Sequence, residues 1–291
     1  ANGLRYRFLR TLGRPGKPQA ISLEVTRRCV CRCVMCNIWK VPHAEPGLSL
    51  EEWVKLLADP TLADLRELDI TGGEPFLRDD LVDLVTEVCR LKQTNLRRLR
   101  SIAITTNGVL TEHVLGAVED MLRVTRGSGL GLVLVCALDA VGELHDQIRR
   151  HPGAWANVDR TIAGLADLRS SNPGLVVGIK TTVLPTNVHL LEVIEDYARE
   201  RGLFTIISPA IVTAGRYLNV DREPDLRLDD EQRLQLAAFY EGGHTQWTYH
   251  GHSVARYLRT GRAKRPCTCG FNYFFVRSNG DVFLCPLFEE S

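Results

Sequence analysis

Four cysteines lie within eight residues in the stretch EVTRRCVCRCVMCNIWK, residues 24–40. Cys29, Cys33 and Cys36 have the spacing C-x3-C-x2-C. Cys31 is an additional thiol between them. A tetrahedral zinc site usually needs a second ligand pair, and no such pair lies within the usual distance. Three thiolates on one short loop suit a cuboidal iron–sulfur cluster, which leaves a fourth iron free for an exogenous ligand. The alternative is that these are incidental cysteines that behave as small apolar side chains.

The composition excludes several classes of protein. The chain has 291 residues, with 36 basic and 35 acidic side chains, and this balance argues against a general nucleic-acid binder. No apolar run approaches the roughly 18 residues of a membrane-spanning helix, and no secretory signal opens the chain. We therefore expect no membrane span, a cytoplasmic protein and reduced thiols. The cysteines number nine, an odd count, and seven of them cluster in two places, which indicates metal ligation better than a disulfide framework.

The elements that must position these cysteines alternate between strand and helix patterns. Helices are predicted in the intervals between strands, and Ser49 with Glu52 forms a capping box at the start of one of them. Another helix is predicted to begin near Thr111, and another to end at Gly202. The predicted strands are AISLEVT (20–26), LRELDIT, SIAITTNG, LGLVLVCALD, LVVGIKTTVL and FTIIS.

Nearly continuous apolar strands joined by helices predict an α/β fold with a parallel sheet, curved by right-handed crossovers into an open or closed barrel. In such folds ligands bind in the loops that follow the carboxyl ends of the strands. The cysteine stretch, TGGEP, TTNG and LDAVGELHDQIRR follow the first four strands in that order. His145 and Asp146 are expected to fix the last of these loops rather than to act as acid and base. Lys180, on the fifth strand, faces inward or outward, and strand parity alone does not decide which.

These motifs, taken together and in this order, closely resemble those of the radical S-adenosylmethionine (radical SAM) superfamily over about residues 18–210. The resemblance implies a partial (β/α)6 TIM-type barrel. It also implies that Cys29, Cys33 and Cys36 hold a [4Fe–4S] cluster, whose open iron chelates the amino and carboxylate groups of SAM. An electron from the reduced cluster would cleave SAM and give a 5′-deoxyadenosyl radical, which abstracts hydrogen from a substrate. A reducing partner such as flavodoxin or ferredoxin is then expected.

The resemblance also implies SAM-binding roles for residues in the later motifs. The glycines would let the backbone approach the methionine moiety, and the glutamate would accept a hydrogen bond from its ammonium group. The arginine would pair with the SAM carboxylate. The competing interpretations are an ordinary Gly–Gly turn, a glutamate that favours a helix start, a common Asn-Gly turn and a surface arginine. The residues concerned are Gly72, Gly73, Glu74, Thr106, Asn107 and Arg149.

A second group of thiols lies near the end of the chain. Cys267, Cys269 and Cys285 occur in CTCGFNYFFVRSNGDVFLCP, where the turn SNGD predicts a β-hairpin that brings Cys285 near the first two. The pattern resembles the opening half of the twitch or SPASM extension of radical SAM enzymes, which binds an auxiliary iron–sulfur cluster. An abbreviated twitch site, a longer protein whose later cysteines are missing, a zinc site and an unliganded hairpin remain open.

The sequence therefore predicts a radical SAM oxidoreductase or related radical-generating enzyme. Its substrate would be a small molecule or a peptide, in cofactor or natural-product biosynthesis. We expect too little chain before the first strand for a leader-peptide-binding domain, which favours a small substrate. The alternative is a non-catalytic iron–sulfur or zinc protein that serves electron transfer or acts as a scaffold. The predicted regions are an N-terminal extension at 1–17, a radical SAM core at 18–215, a helical connector at 216–265 and an auxiliary-cluster hairpin at 266–291.

Overall fold

The fold is described by a computed structural model of the chain. It describes residues 8–9, 11–13, 16–41, 47–242, 248–263, 267 and 269–288, and for 248–250 the backbone alone. Most of the predicted extension at 1–17 and the ends of the predicted hairpin region at 266–291 therefore lie outside the described residues.

Six parallel strands form the centre of the structure, and all six are where the sequence predicts them. The first begins and ends at the predicted residues because Ile21, Leu23 and Val25 alternate with polar side chains and are buried against the helices. The strands are β1 (Ala20–Thr26), β2 (Glu67–Gly72), β3 (Ser101–Thr106), β4 (Gly131–Ala137), β5 (Leu175–Val183) and β6 (Phe204–Pro209), followed by β7 (Tyr273–Val276) and β8 (Val282–Phe283).

The helices cover one face of this sheet. The capping box predicted at Ser49 and Glu52 is confirmed, since each side chain binds the backbone N–H of the other. The helix predicted near Thr111 begins at that residue. No helix in the described part of the chain is long and apolar enough to cross a membrane. The helices are α1 (Leu50–Leu57), α2 (Leu81–Thr94), α3 (Thr111–Thr125), α4 (Glu143–Arg149), α5 (Ala154–Ser171), α6 (Leu191–Glu200), α7 (Glu223–Leu226), α8 (Asp230–Glu241) and α9 (Thr248–Thr260).

The strands form one open sheet in the order β6-β5-β4-β3-β2-β1-β7-β8. The pairs from β1 to β6 are parallel, as expected for strands joined by helical crossovers. Within the described residues β6 and β8 stay at opposite edges, so the sheet does not close. The α/β fold class with a partial barrel is therefore confirmed.

The C-terminal hairpin is also confirmed, but it lies in the main sheet. Phe275 pairs with Phe283 in an antiparallel register, as the SNGD turn predicts. The position of β7 was not predicted: it runs parallel to β1, with Ile21 opposite Phe274. The hairpin thus covers the β1 edge and brings the second thiol group to the same sheet as the first.

The prediction of nearly continuous apolar strands holds for β4 but is wrong for β1 and β2. On β1 and β2 the apolar side chains point to the helices, whereas Ser22, Glu24, Asp69 and Thr71 occupy the opposite face. A barrel that does not close leaves this face without a packed core. The inner face can therefore carry polar groups toward a cavity.

Candidate active site

The loops after the parallel strands surround a solvent-open cavity of about 1100 Å³. All four thiols of the cysteine stretch line it, and so do most of the other residues that the sequence singled out. Glu74 is the exception, because it is fully buried beneath the cavity wall. The predicted residues that line the cavity are Cys29, Cys31, Cys33, Cys36, Gly72, Gly73, Thr106, Asn107, Arg149 and Lys180.

The cysteine loop is held by backbone hydrogen bonds to a distant part of the chain. Arg32 N donates to Arg149 O at 3.1 Å, and Val34 N donates to Ile148 O at 2.9 Å. The end of α4 therefore aligns the loop while the Arg149 side chain enters the cavity. This contact fixes the thiols relative to the loop after β4.

Two of the three predicted ligand thiols lie in environments that favour the thiolate. Asn107 Nδ2 donates to Cys29 Sγ at 3.9 Å, and Arg149 Nη1 donates to Cys33 Sγ at 3.7 Å. The Cys31 thiol, whose one S–H is shared between the two neighbouring sulfurs, lowers the pKa of Cys29 and lowers that of Cys33 to about 7. Burial raises the pKa of Cys36 to about 12. Metal ligation would replace that proton, because coordinated thiols are deprotonated.

Cys31 has a different position from its three neighbours. It is 1% exposed and packs against Val109 and Ala154. Hydrogen bonds to Cys29 and Cys33 raise its pKa, so it stays protonated as their donor. Cys31 is therefore a buried hydrogen-bond donor for Cys29 and Cys33 rather than a fourth candidate ligand.

The donor set fits a cuboidal iron–sulfur cluster. Three sulfur donors from one loop face one cavity, and N–H groups donate to two of those sulfurs, as is common at such clusters. No three His, Cys, Asp or Glu side chains in the described part of the chain surround a point closely enough to bind a single metal ion. An iron–sulfur cluster does not need its thiolates around one point, because each thiolate binds a different iron. The fit to a cluster therefore depends on the number and chemistry of the donors.

The Gly–Gly turn needs glycine because the end of β2 and the start of the cysteine loop approach each other closely there. A Cβ on Gly72 would lie 2.3 Å from Thr26 O, and one on Gly73 would lie 2.2 Å from Arg28 O. Gly73 N also donates to Thr26 O at 2.8 Å. The two glycines therefore bring the end of β2 against the start of the cysteine loop, in addition to lining the cavity.

Replacement of Gly73 by alanine should shift this turn. Its Cβ would meet backbone oxygen, which cannot move aside as a flexible side chain can, so we expect a loss of about 1–3 kcal/mol in the free energy of unfolding. Urea unfolding of the purified variant measures it. Gly116→Ala is the matched control: Gly116 lies in α3 with no atom near its Cβ position, and alanine there should add about 0.5–1 kcal/mol. Equal stability of the Gly73 variant and wild type would exclude the close approach.

Glu74 organises the loop after β3. Its carboxylate accepts hydrogen bonds from Thr106 Oγ1 at 2.8 Å, from Asn107 N at 2.7 Å and from Phe76 N at 3.2 Å. Asn107 is the residue that donates to Cys29. Glu74 thus connects the Gly–Gly turn to the TTNG loop. Its predicted role as an acceptor for the SAM ammonium stays a prediction, since its carboxylate is engaged inside the protein.

Burial raises the pKa of Glu74 from its ordinary 4.5 to about 7. A carboxyl whose pKa is higher in the folded state contributes stability below the unfolded pKa and loses it as the pH rises through the folded pKa. Each pKa unit is worth about 1.4 kcal/mol, so the rise in the Glu74 pKa from 4.5 to about 7 corresponds to about 3 kcal/mol of folding free energy. The stability of wild type minus that of Glu74→Gln should fall by this amount between about pH 4 and pH 8. Urea titrations across the range measure it, and the exposed Glu119→Gln should show no such trend. A pH-independent difference would contradict the prediction.

Arg149 is a buried residue, which excludes the surface interpretation. It is 7% exposed, its Nη2 lies 2.7 Å from Asp139 Oδ2, and its Nη1 reaches Cys33. His145 Nδ1 accepts from Asp139 N at 3.1 Å, and burial lowers the pKa of this imidazole to about 3. Asp146 accepts from Gly153 N at 2.7 Å. His145 and Asp146 therefore fix the loop, as predicted.

Sequence reasoning missed a buried ion pair at the cavity wall. Arg216, which follows β6, forms a salt bridge with Glu24 of β1. It also donates to Thr71 Oγ1 at 3.3 Å and to Gly72 O at 3.4 Å, and it lies over the Phe275 ring at 4.9 Å. Arg216 therefore joins β1, the end of β2 and the C-terminal hairpin. No local pattern marks it, because its partner is 192 residues away.

The segment around Arg216 also holds the end of the cysteine loop. Asn219 is fully buried, and its Nδ2 donates to Met35 O at 2.8 Å. Asn37 Nδ2 donates to Leu218 O at 2.8 Å and to Asp221 Oδ1 at 2.9 Å. Two buried amides thus clamp the loop that contains Cys36 from the side opposite α4.

The C-terminal thiols come together at the hairpin edge. Burial and side-chain hydrogen bonds with Cys267 and Cys285 raise the pKa of Cys269 to about 12. Cys269 N donates to Cys267 Sγ at 3.5 Å, and Leu287 N donates to Cys285 Sγ at 3.3 Å. Gly270 has φ +78°, which permits the turn after Cys269. Three thiols, two of which accept hydrogen bonds from backbone N–H groups, form a second candidate site for sulfur ligation.

Comparison with known proteins gives a family match over most of the sheet. The family model of the radical SAM superfamily matches residues 23–201. The chain is 29% identical over 218 residues to the Fe-coproporphyrin III synthase of Methanosarcina barkeri, covering 75% of this chain and 50% of that protein. It is 25% identical over 187 residues to the subtilosin biosynthesis protein AlbA of Bacillus subtilis, covering 64% of this chain and 38% of that protein. The chain thus spans half or less of the length of these relatives.

A solved structure matches the whole sheet. The crystal structure of Streptococcus suis SuiB bound to S-adenosylmethionine aligns with a TM-score of 0.62 at 15% identity, covering 98% of this chain and 64% of that one. At this identity the likeness concerns the fold alone.

Proposed function

The chain belongs to the radical SAM superfamily, and from this we propose that it cleaves S-adenosylmethionine reductively and uses the resulting radical to abstract hydrogen from a substrate. Members of the superfamily use a 4Fe–4S cluster and SAM. The observation that carries the proposal is that Cys29, Cys33 and Cys36 line one cavity together with the Gly–Gly turn and Arg149. In this proposal residues 18–215 form the catalytic core and 216–265 the helical connector.

The residues proposed to hold the cluster are Cys29, Cys33 and Cys36. When bound, the cluster would supply the electron that cleaves SAM. Hydrogen bonds from Asn107 and Arg149 to two of the sulfurs would stabilise the thiolates. Arg216 adds a nearby positive charge that lowers the pKa of Cys36 against the effect of burial.

The residues proposed to hold SAM surround the thiols. Gly72 and Gly73 present backbone at the cavity wall, and Thr106 and Asn107 lie beside them on the next loop. Glu74 acts here as a positioning residue, because it binds both Thr106 and Asn107 N. The Arg149 guanidinium is placed to pair with a carboxylate while Asp139 orients it.

We place an auxiliary iron–sulfur site at Cys267, Cys269 and Cys285. The convergence of these thiols on β7 and β8 supports it, and so do the two backbone N–H groups that donate to Cys267 and Cys285. The hairpin would be a twitch- or SPASM-like region that accepts an electron from the substrate or braces the cavity.

The reaction class is a modification in cofactor or peptide biosynthesis, on a small molecule or a peptide. Two of the similar proteins support this range by their names: a coproporphyrin synthase and a bacteriocin biosynthesis protein. The lining of the cavity combines apolar side chains with polar groups such as Thr182, Ser208 and Lys180, which suits either a small molecule or one side chain of a peptide. A flavodoxin- or ferredoxin-type protein would supply the electron.

Anaerobic reconstitution tests the proposal directly. Protein rebuilt with iron and sulfide should release 5′-deoxyadenosine and methionine from SAM when dithionite is added. The alternative, a non-catalytic iron–sulfur or zinc scaffold, predicts bound metal by elemental analysis without any cleavage of SAM. Absence of both products from iron-loaded protein would reject the enzymatic function.

A further inference from the structure

Three cations line the cavity: Arg149, Arg216 and Lys180. Arg149 lies against Cys33 and Asp139, and Arg216 lies against Glu24 and adds positive charge near Cys36. The charge of Lys180 lowers the pKa of the buried Asp69 and Asp139 carboxyls against the effect of burial. The two arginines thus lie beside thiols, whereas Lys180 stands on β5, next to β6.

The two arginines are already neutralised. Asp139 Oδ2 lies 2.7 Å from Arg149 Nη2, and Arg216 forms a buried salt bridge with Glu24. Each arginine therefore has a carboxylate in direct contact, and Arg149 is the one that the proposed function assigns to the SAM carboxylate.

Lys180 differs because, among the described residues, it has no carboxylate in direct contact, although its charge acts on Asp69 and Asp139. Asp69 accepts a hydrogen bond from Ser22 Oγ at 2.7 Å, and Asp139 is bound by Arg149 and by Thr182 N. Among the residues that the structure describes, no carboxylate comes within the 4.0 Å of an ion pair with Lys180 Nζ. Its ammonium is half-buried and faces the cavity.

Two hydroxyl groups line the cavity on the same face of the sheet as Lys180. Thr182 of β5 and Ser208 of β6 are paired across the sheet, and both line the cavity. Within the described residues neither side-chain oxygen has a hydrogen-bond partner, whereas Thr161, Thr181 and Thr205 all have one. A cation and two hydroxyls without partners form one polar wall.

We propose that Lys180, with Thr182 and Ser208, binds an acidic group, a carboxylate or a phosphate, of the substrate. A ligand that fills the cavity displaces the water around Lys180, and this is costly unless the ligand supplies an anion. This inference rests on the proposed function, because SAM must occupy the thiol side for the β5–β6 wall to be left to the substrate. It narrows the substrate class to molecules or peptides that carry an acidic group.

The test uses inorganic phosphate as the probe, titrated calorimetrically into reconstituted, SAM-loaded protein at low salt. Wild type should bind phosphate saturably, and Lys180→Met should weaken that binding by about tenfold or more. Lys180→Arg should retain most of it, because the charge is kept. Lys92→Met is the matched control, since Lys92 lies in an exposed basic pocket with Arg66, Arg97, Arg98 and Arg100 that could also attract phosphate.

A separate measurement distinguishes this proposal from the proposed function. SAM affinity and substrate-free release of 5′-deoxyadenosine should stay within about threefold of wild type in Lys180→Met, which tests whether the lysine serves SAM instead. Acetate, titrated in the same way, is the carboxylate probe and distinguishes the two acidic groups. The subsite is rejected if neither phosphate nor acetate binds wild type, or if only Lys92→Met reduces binding. It is also rejected if Lys180→Met loses SAM affinity by about tenfold. Failure of wild type to cleave SAM rejects the proposed function itself, whatever the phosphate result.

Discussion

Replacement of Cys29, Cys33 or Cys36 by alanine, one at a time, is expected to remove the cluster and with it essentially all cleavage of SAM. Each thiol would ligate a different iron, so two remaining ligands cannot hold the cluster in place. We expect the iron and sulfide content attributable to this site, and the release of 5′-deoxyadenosine, to fall to the level of protein that was never reconstituted. Iron analysis and product release, measured on the same anaerobic preparation, test both effects.

Cys31→Ala is the matched control for these variants, because it removes a thiol from the same loop. Cys31 is buried and protonated beside Cys29 and Cys33, so the variant should keep its cluster. It should lose a modest amount of stability, about 1 kcal/mol, from the space left beside Val109 and Ala154. If Cys31→Ala lost its iron while Cys36→Ala kept it, the ligand assignment would be wrong.

The second large effect is expected at the ion pair between Arg216 and Glu24. Arg216→Met should lower the free energy of unfolding by about 3 kcal/mol or more, because it leaves a buried carboxylate without its main partner. Arg27 Nε, at 3.0 Å from Glu24, should compensate in part. The variant also loses the hydrogen bonds to Thr71 Oγ1 and Gly72 O, so the Gly–Gly turn should become less ordered.

A double-mutant cycle isolates this pair. Glu24→Gln with Arg216→Met should recover a large part of the loss, because a neutral amide needs no charged partner. Removal of the exposed pair between Arg259 and Glu241 provides the control and should leave stability nearly unchanged. Urea unfolding of the four proteins measures the coupling. A loss below about 1 kcal/mol for Arg216→Met alone would mean that solvent reaches the pair and screens it.

Arg216 also contacts the C-terminal hairpin. Its guanidinium lies over the Phe275 ring of β7, and β7 is paired with β1. One side chain therefore contacts the strand before the cysteine loop, the Gly–Gly turn and the strand next to the second thiol group.

The sequence by itself determined the local elements and the donor set. The bounds of β1, the capping box at Ser49 and Glu52, and the SNGD hairpin all follow from patterns a few residues long. The cysteine spacing and the motifs at four successive strand ends indicated the family, because a parallel sheet places such loops along one edge. These features are local in sequence, so they can be predicted without knowledge of the packing.

Only the tertiary structure decided which side chains meet in the cavity. Glu74 is fully buried and binds Thr106 and Asn107, Lys180 lines the cavity, and Arg216 reaches Glu24 across 192 residues. Strand order placed β7 beside β1, and the open sheet left its inner face polar. Each of these outcomes depends on twist, register and the path of distant loops. Such properties arise from the packing of the whole chain, and no short pattern of residues encodes them.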